Sequence, residues 1–134
     1  MEDHLERQID QLGRVLGKIL SGLIGLKGKG QVANGIELTN QTLKGELDLD
    51  IQKLLDIPLD DFINTLKTKK EFSNENLEKL ADILLLIADD SQDKDRKKLY
   101  EKCLTIYEYL ERGEDIYSLE RQWKIKRIKK FLST

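Results

Sequence analysis

Residues 5–26 read LERQIDQLGRVLGKILSGLIGL and carry the clearest pattern in the chain. Apolar side chains recur in alternating steps of four and three, at Leu5, Ile9, Leu12, Leu16, Ile19, Leu23 and Leu26. Such a repeat places apolar residues along one side of an α-helix, with a period of about 3.5 residues. The stretch therefore predicts a long first helix whose apolar side packs against other helices.

A row of small residues lies on the same predicted helix. Gly13, Gly17, Ser21 and Gly25 recur every four residues, which places them along one side of the helix. A glycine inside a helix costs about 1 kcal/mol relative to alanine, so we expect close packing of a second helix to offset the loss. The row is a candidate contact for a homodimer. In the alternative interpretation, helices of the same monomer cover both sides of the first helix.

Further helices are predicted along the rest of the chain, separated by short turns. They cover about residues 31–44, 50–56, 59–66, 74–89 and 94–112, and a last helix begins at Ser118. Pro58 separates the two short helices, because proline lacks the amide proton and moves the preceding residue out of helical geometry. Ser73 and Ser118 are favourable N-cap residues. We expect an all-α fold of about six helices, packed as one domain of residues 1–134.

The helix that follows Ser73 predicts where the core lies. Residues 83–88 read ILLLIA and are apolar on every side, so this helix should lie at the centre of the domain. The polar stretch 89–93 forms a turn, and the next helix runs through Leu99, Cys103, Ile106 and Leu110 to Gly113. Two antiparallel helices joined by a short loop form an αα-hairpin.

Composition bounds the location of the protein. No apolar run approaches the roughly 20 residues that a membrane-spanning helix needs. Cys103 is the only cysteine, so an internal disulfide is excluded and nothing favours an oxidising compartment. We interpret Cys103 as a small buried apolar residue. The sequence therefore predicts a cytoplasmic protein.

Residue types suited to catalysis or metal binding are scarce. His4 is the only histidine, so no catalytic triad or zinc tetrad can be assembled from the usual side chains. Oxygen-bearing residues at 89, 91, 93 and 95 have the spacing of a calcium loop, but Tyr100 stands where the bidentate glutamate belongs. The acidic pairs at 60–61 and 114–115 adjoin helix starts, where the helix dipole favours negative charge. We expect no enzymatic activity, no cofactor and no metal site.

Charge is unevenly distributed along the chain. Residues 31–118 have a formal net charge of −8, whereas residues 119–134 have +5. In the last helix Trp123, Lys126, Arg127 and Lys130 share one face, away from Ile125, Ile128 and Leu132. This face is a candidate surface for a partner or an anion. The alternative is a solvated helix end that balances the acidic body, with Trp123 packed on a neighbouring helix.

The chain resembles known helical proteins at two levels. Residues 74–112, with Tyr100-Glu-Lys-Cys103-Leu104 and Tyr107, resemble the second half of a tetratricopeptide-type unit. Most of residues 5–130 is similar to an uncharacterised bacterial family of small all-helical proteins with a tetratricopeptide-like fold. The matching residues are Ile9-Asp-Gln11-Leu12 with Leu16, Ile19 and Leu20, then Gly45-Glu-Leu47-Asp-Leu49-Asp, then the hairpin. The chain departs from that family at Gly28–Asn34, where a basic, glycine-rich stretch replaces an acidic helical one. The resemblance implies the fold and transfers no catalytic residue.

Three functions remain open at this point. The first is a non-enzymatic protein–protein interaction module of tetratricopeptide-like type, with an unidentified protein partner and possible homodimerisation. The second is nucleic-acid or anion binding through the basic last helix. The third is association with a membrane surface through the first helix, because residues 11–30 carry four basic residues and no acidic residue beside the apolar side. We expect the first of these.

Overall fold

The computed structural model describes residues 3–28, 32–47, 50–113 and 118–134. These ranges contain seven α-helices: α1 (Asp3–Gly28), α2 (Val32–Leu47), α3 (Ile51–Asp56), α4 (Leu59–Lys67), α5 (Asn74–Asp89), α6 (Asp93–Gly113) and α7 (Leu119–Leu132). The all-α class is confirmed. The acidic pair Glu114-Asp115 and residues 29–31 of the glycine-rich stretch lie outside the described residues.

Side-chain caps explain where several helices begin. Asp50 accepts a hydrogen bond from the backbone amide of Gln52 at 2.9 Å and starts α3. Ser73 and Ser118 cap α5 and α7 through their hydroxyl oxygens, in each case at 3.2 Å from the amide of the residue three positions later. The two serine caps predicted from the sequence are confirmed, because this interaction depends only on local backbone geometry.

One predicted boundary is observed and another differs in detail. Ile57 is extended, with φ −69° and ψ 128°, and separates α3 from α4 as expected before Pro58. Helix α2, however, continues through Gly45 to Leu47 instead of ending at Lys44. A glycine lowers helix stability by only about 1 kcal/mol, which does not by itself end a helix.

Helix α5 lies at the centre of the molecule and packs against α1 and α6. Within residues 83–88 only Leu86 is partly exposed, which confirms the predicted position of the core. The apolar side of α1 joins the same cluster through Leu12, Leu16 and Leu23, which are at most 3% exposed. Cys103 is fully buried in this cluster, as interpreted from the sequence.

Helix α1 runs parallel to α5. Near the start of both helices, the side-chain amide of Asn76 donates to the Ile9 carbonyl at 3.0 Å. Near their ends, the Lys27 ammonium lies 4.0 Å from an Asp89 carboxylate oxygen. Because residue numbers increase together along the two helices, their directions agree.

Helix α6 runs antiparallel to α5, whereas α7 runs parallel to α5. The Tyr100 and Tyr107 hydroxyls of α6 donate to Asp89 and Asp82, respectively, so numbers rise on one helix as they fall on the other. On α7 the order is the same as on α5, since residue 121 contacts residue 78 and residue 127 contacts residue 89. The hairpin predicted over residues 74–112 therefore forms, and α7 returns beside it.

Candidate functional site

The predicted face of α7 is largely open to solvent. Trp123 is 72% exposed, and it does not pack on a neighbouring helix as one interpretation of the sequence supposed. Lys126 and Lys130 are also exposed. Arg127 differs, because its guanidinium lies against Asp89 with N–O distances of 3.0 and 3.2 Å. Of the three basic residues on this face, only Arg127 forms an ion pair with a described carboxylate.

A buried ion network that sequence reasoning missed joins α7 to α5 and α6. Arg121 is 4% exposed. Its guanidinium donates to both carboxylate oxygens of Glu78, at 3.0 and 2.7 Å, and to Glu111 at 2.9 Å. A bidentate arginine–carboxylate pair restricts geometry more than a single contact does. The network therefore sets the position of α7 on the hairpin.

A second polar cluster follows one turn later along α5. The Asp82 carboxylate accepts from the Tyr107 hydroxyl and lies 2.9 Å from the Lys124 ammonium, which also lies 3.2 Å from Glu120. Burial and the nearby Asp82 charge raise the pKa of Tyr107 well above its ordinary value. Burial alone would lower the pKa of Lys124, but its contacts with the two carboxylates outweigh burial and raise it.

A third cluster surrounds Asp89 at the end of α5. Its carboxylate accepts from the Tyr100 hydroxyl at 2.6 Å, pairs with Arg127, and is approached by Lys27 from α1. Burial, followed by the hydrogen bond to Asp89, raises the pKa of Tyr100. The hydrogen bond to Asp89 likewise raises the pKa of Arg127. The Asp89 carboxylate therefore connects the end of α5 to α1, α6 and α7.

A groove of about 750 Å³ lies between α1 and α7, with α5 as its floor. We call it the α1–α7 groove. Its apolar lining consists of Leu20, Ile24, Leu85, Leu86, Leu119 and Trp123. Its charged lining consists of Lys27, Asp82, Asp89, Glu120, Lys124 and Arg127. Every charged member lies within 4.0 Å of an oppositely charged member.

The groove concentrates the exposed apolar surface of the described residues. These residues include five large apolar side chains that are exposed, and three of the five, Ile24 at 56% and Leu119 and Trp123 at 72%, line this groove. Isolated apolar residues are normal on a protein surface, whereas a cluster in a concavity marks an interaction site. The sequence signalled Trp123, but nothing in it indicated that Ile24 would stand opposite.

The small residues of α1 do not form one contact. Gly13 is buried against α5, where an added Cβ would lie 2.9 Å from the side-chain oxygen of Asn76. Gly17 and Ser21 line a second cavity, of about 790 Å³, between α1 and α2. Gly25 is exposed, and a Cβ there would meet nothing within 4 Å. Gly13 therefore serves packing within the monomer, and the other three remain accessible.

Histidine, cysteine and acidic side chains supply many catalytic groups and metal ligands. Among the described residues, no three histidine, cysteine or acidic side chains are arranged to hold a metal ion. The Cys103 thiol lies 3.5 Å from the Ala81 carbonyl, and burial raises its pKa well above the ordinary value. His4 is exposed near the start of α1. No described helix is long and apolar enough to cross a membrane.

Compared with known proteins, the chain matches no family model, no curated protein and no solved structure.

Proposed function

We propose that this protein is a non-enzymatic protein–protein interaction module, and that its partner docks in the α1–α7 groove. The observation that carries the proposal is the exposure of Trp123 and Leu119 on one wall of the groove and of Ile24 on the other. Tryptophan is among the residues that most often dominate binding energy at protein interfaces. An aromatic anchor beside an apolar floor is the arrangement that such interfaces use.

The charges of the groove support a protein partner as well. Each charged lining residue already has an opposite charge within the groove. Covering an unpaired charge with apolar surface is strongly unfavourable, whereas a pair that is satisfied internally can be covered at lower cost. A partner can therefore bury the apolar lining without supplying a counter-ion for each charge.

The order of the last three helices supports a tetratricopeptide-like type. α5 and α6 form an antiparallel hairpin, and α7 returns parallel to α5. Helical-repeat proteins stack hairpins in this manner and bind ligands on the surfaces that the stack leaves open. Membership of the small bacterial family and a cytoplasmic location are part of the same proposal, the latter supported by a single, buried cysteine.

Nucleic-acid binding is the second candidate, and one observation favours it. Trp123 is exposed beside Lys126 and Lys130, and an aromatic ring with neighbouring cations can stack a base and contact phosphates. Arg127 weakens this candidate, since its guanidinium is paired with Asp89. The membrane alternative is weakened because Leu12, Leu16 and Leu23 on the apolar side of α1 are buried in the core.

A selection from a random displayed-peptide library tests the proposed function. We expect selected peptides to bind the wild-type protein and to lose at least about tenfold in affinity on Trp123→Ala, the scale of an interface hot spot. Leu59→Ala is the matched control, since Leu59 is also an exposed apolar residue but lies on α4 outside the groove. Selected peptides that bind Trp123→Ala as tightly as wild type would place the interaction elsewhere. Submicromolar, salt-sensitive binding of a single-stranded oligonucleotide at physiological salt would favour the second candidate.

A further inference from the structure

The α1–α7 groove is bounded at each end by a cluster of three charges. At one end Lys27 and Arg127 both contact Asp89, which gives two cations and one anion. We call this the positive clasp. At the other end Asp82 and Glu120 both contact Lys124, which gives two anions and one cation. We call this the negative clasp. Apolar side chains of α1, α5 and α7 form the rest of the lining.

The three walls of the groove have nearly the same length. The lining runs from Leu20 to Lys27 on α1, from Asp82 to Asp89 on α5 and from Leu119 to Arg127 on α7, which is seven, seven and eight residues further along the chain. At a rise of about 1.5 Å per residue these lengths are about 10–12 Å, or about two helical turns. A helix lying along the groove would thus present apolar side chains at i, i+3 or i+4, and i+7.

We propose that the groove binds an amphipathic helix of a partner protein antiparallel to α5, with acidic side chains in its first turn and basic side chains in its last. This inference rests on the proposed function and adds the partner's chemistry and direction. The positive clasp lies at the C-terminal ends of the three walls, since Lys27 and Asp89 are near the ends of α1 and α5. An acidic first turn placed there meets the excess cation, and a basic last turn meets the excess anion of the negative clasp.

The helix dipoles favour the same direction. α1, α5 and α7 run parallel, so their partially negative C-terminal ends lie on the side of the positive clasp. An antiparallel occupant brings its partially positive N-terminus to that side, and a helix itself prefers acidic residues in its first turn and basic residues in its last. Charge pairing with the clasps, dipole alignment and the occupant's own stability therefore agree on one orientation.

The test uses two designed peptides of identical composition that lack tryptophan. Both carry leucine at the i, i+3, i+4, i+7 positions. The first has glutamates in its first turn and lysines in its last, and the second has these charges exchanged. Trp123 is the only tryptophan of the protein. Because it is 72% exposed and lines the groove, its burial by a bound peptide shifts its fluorescence to shorter wavelength.

We expect the first peptide to bind wild-type protein about tenfold more tightly than the second, the scale of a few exposed ion pairs gained or reversed. Lys27→Glu converts the positive clasp to two anions and one cation, so the preference should disappear or invert. Lys98→Glu is the matched control, because Lys98 is an exposed lysine of α6 outside the groove. The decisive quantity is the ratio of the affinities for the two peptides, compared between wild type and Lys27→Glu. Any difference in helicity between the free peptides affects both proteins equally and cancels in this comparison.

Three outcomes would overturn the inference. If both peptides shift the Trp123 fluorescence and bind equally tightly, the predicted antiparallel direction of the helix is wrong, but the proposed interaction function still holds. If neither peptide shifts the Trp123 fluorescence, the proposal that the groove binds a helix is wrong. The library selection then still tests the proposed function. A dimer that dissociates on Trp123→Ala would show that a second copy of the chain occupies the groove.

Discussion

The Arg121 network provides the most informative perturbation of this fold. Arg121→Met keeps most of the apolar stem but removes the guanidinium, which leaves the Glu78 and Glu111 carboxylates without that cation. The Arg121 side chain is 4% exposed, and the two glutamate side chains are 30% and 19% exposed. Breaking a buried pair by removing one partner costs about 3–5 kcal/mol. Because the two carboxylates retain some contact with water, we expect the lower end, about 3 kcal/mol.

The assay is urea denaturation followed by circular dichroism, with the slope of the transition compared between variants so that a loss of stability is separated from a change in exposed surface. Lys129→Met on the same helix is the matched control. Lys129 pairs with Glu108 at 3.2 Å, but the two side chains are 57% and 39% exposed, so its loss should cost at most about 1 kcal/mol. If Arg121→Met destabilises the protein no more than Lys129→Met does, burial of the network does not set the position of α7.

Three further predictions concern the core, α1 and alkaline stability. Leu84 is fully buried, so Leu84→Ala should cost about 2–5 kcal/mol in denaturant unfolding, and a cost under about half a kilocalorie would place it outside the core. Gly17→Ala should stabilise the protein by about 0.5–1 kcal/mol because its Cβ meets nothing, whereas Gly13→Ala should destabilise it through contact with Asn76; equal effects would contradict the packing of α1. The raised pKa of Tyr107 means that the folded state retains this proton where the unfolded state loses it. Stability should therefore be unaffected by this group below about pH 10 and fall above it, and Tyr107→Phe should reduce the alkaline slope by about 1.4 kcal/mol per pH unit. An unchanged slope would show that Tyr107 does not contribute.

Much of the helical architecture could be read from the sequence because its causes are local. The Ser73 and Ser118 caps, the break before Pro58 and the apolar run at 83–88 each depend on residues within a few positions of one another. The apolar side of α1 could also be predicted from the sequence, and Leu12, Leu16 and Leu23 are buried as the period of about 3.5 residues predicts. Helical periodicity reports which face of a helix is apolar, and burial of that face follows.

The sequence predicted the candidate site only in part. The spacing of Trp123, Lys126, Arg127 and Lys130 placed them on one face, but it could not show that Arg127 would be paired with a carboxylate 38 positions earlier. The row of small residues on α1 suggested one contact, whereas Gly13 packs internally against Asn76 and the others remain open. Equal spacing along a helix does not reveal which neighbour each residue meets.

What the sequence alone determined was the set of helices and their inward faces, because backbone hydrogen bonding, capping and periodicity act over a few residues. The tertiary structure decided the pairing of the acids of α5 with the bases of α7, across separations of 38 to 43 residues. It also decided that Ile24 of α1 faces Trp123 of α7 across the floor of α5. Both depend on how whole helices pack together, and a charge or an exposed apolar side chain carries no local signal of the distant residue that it will meet.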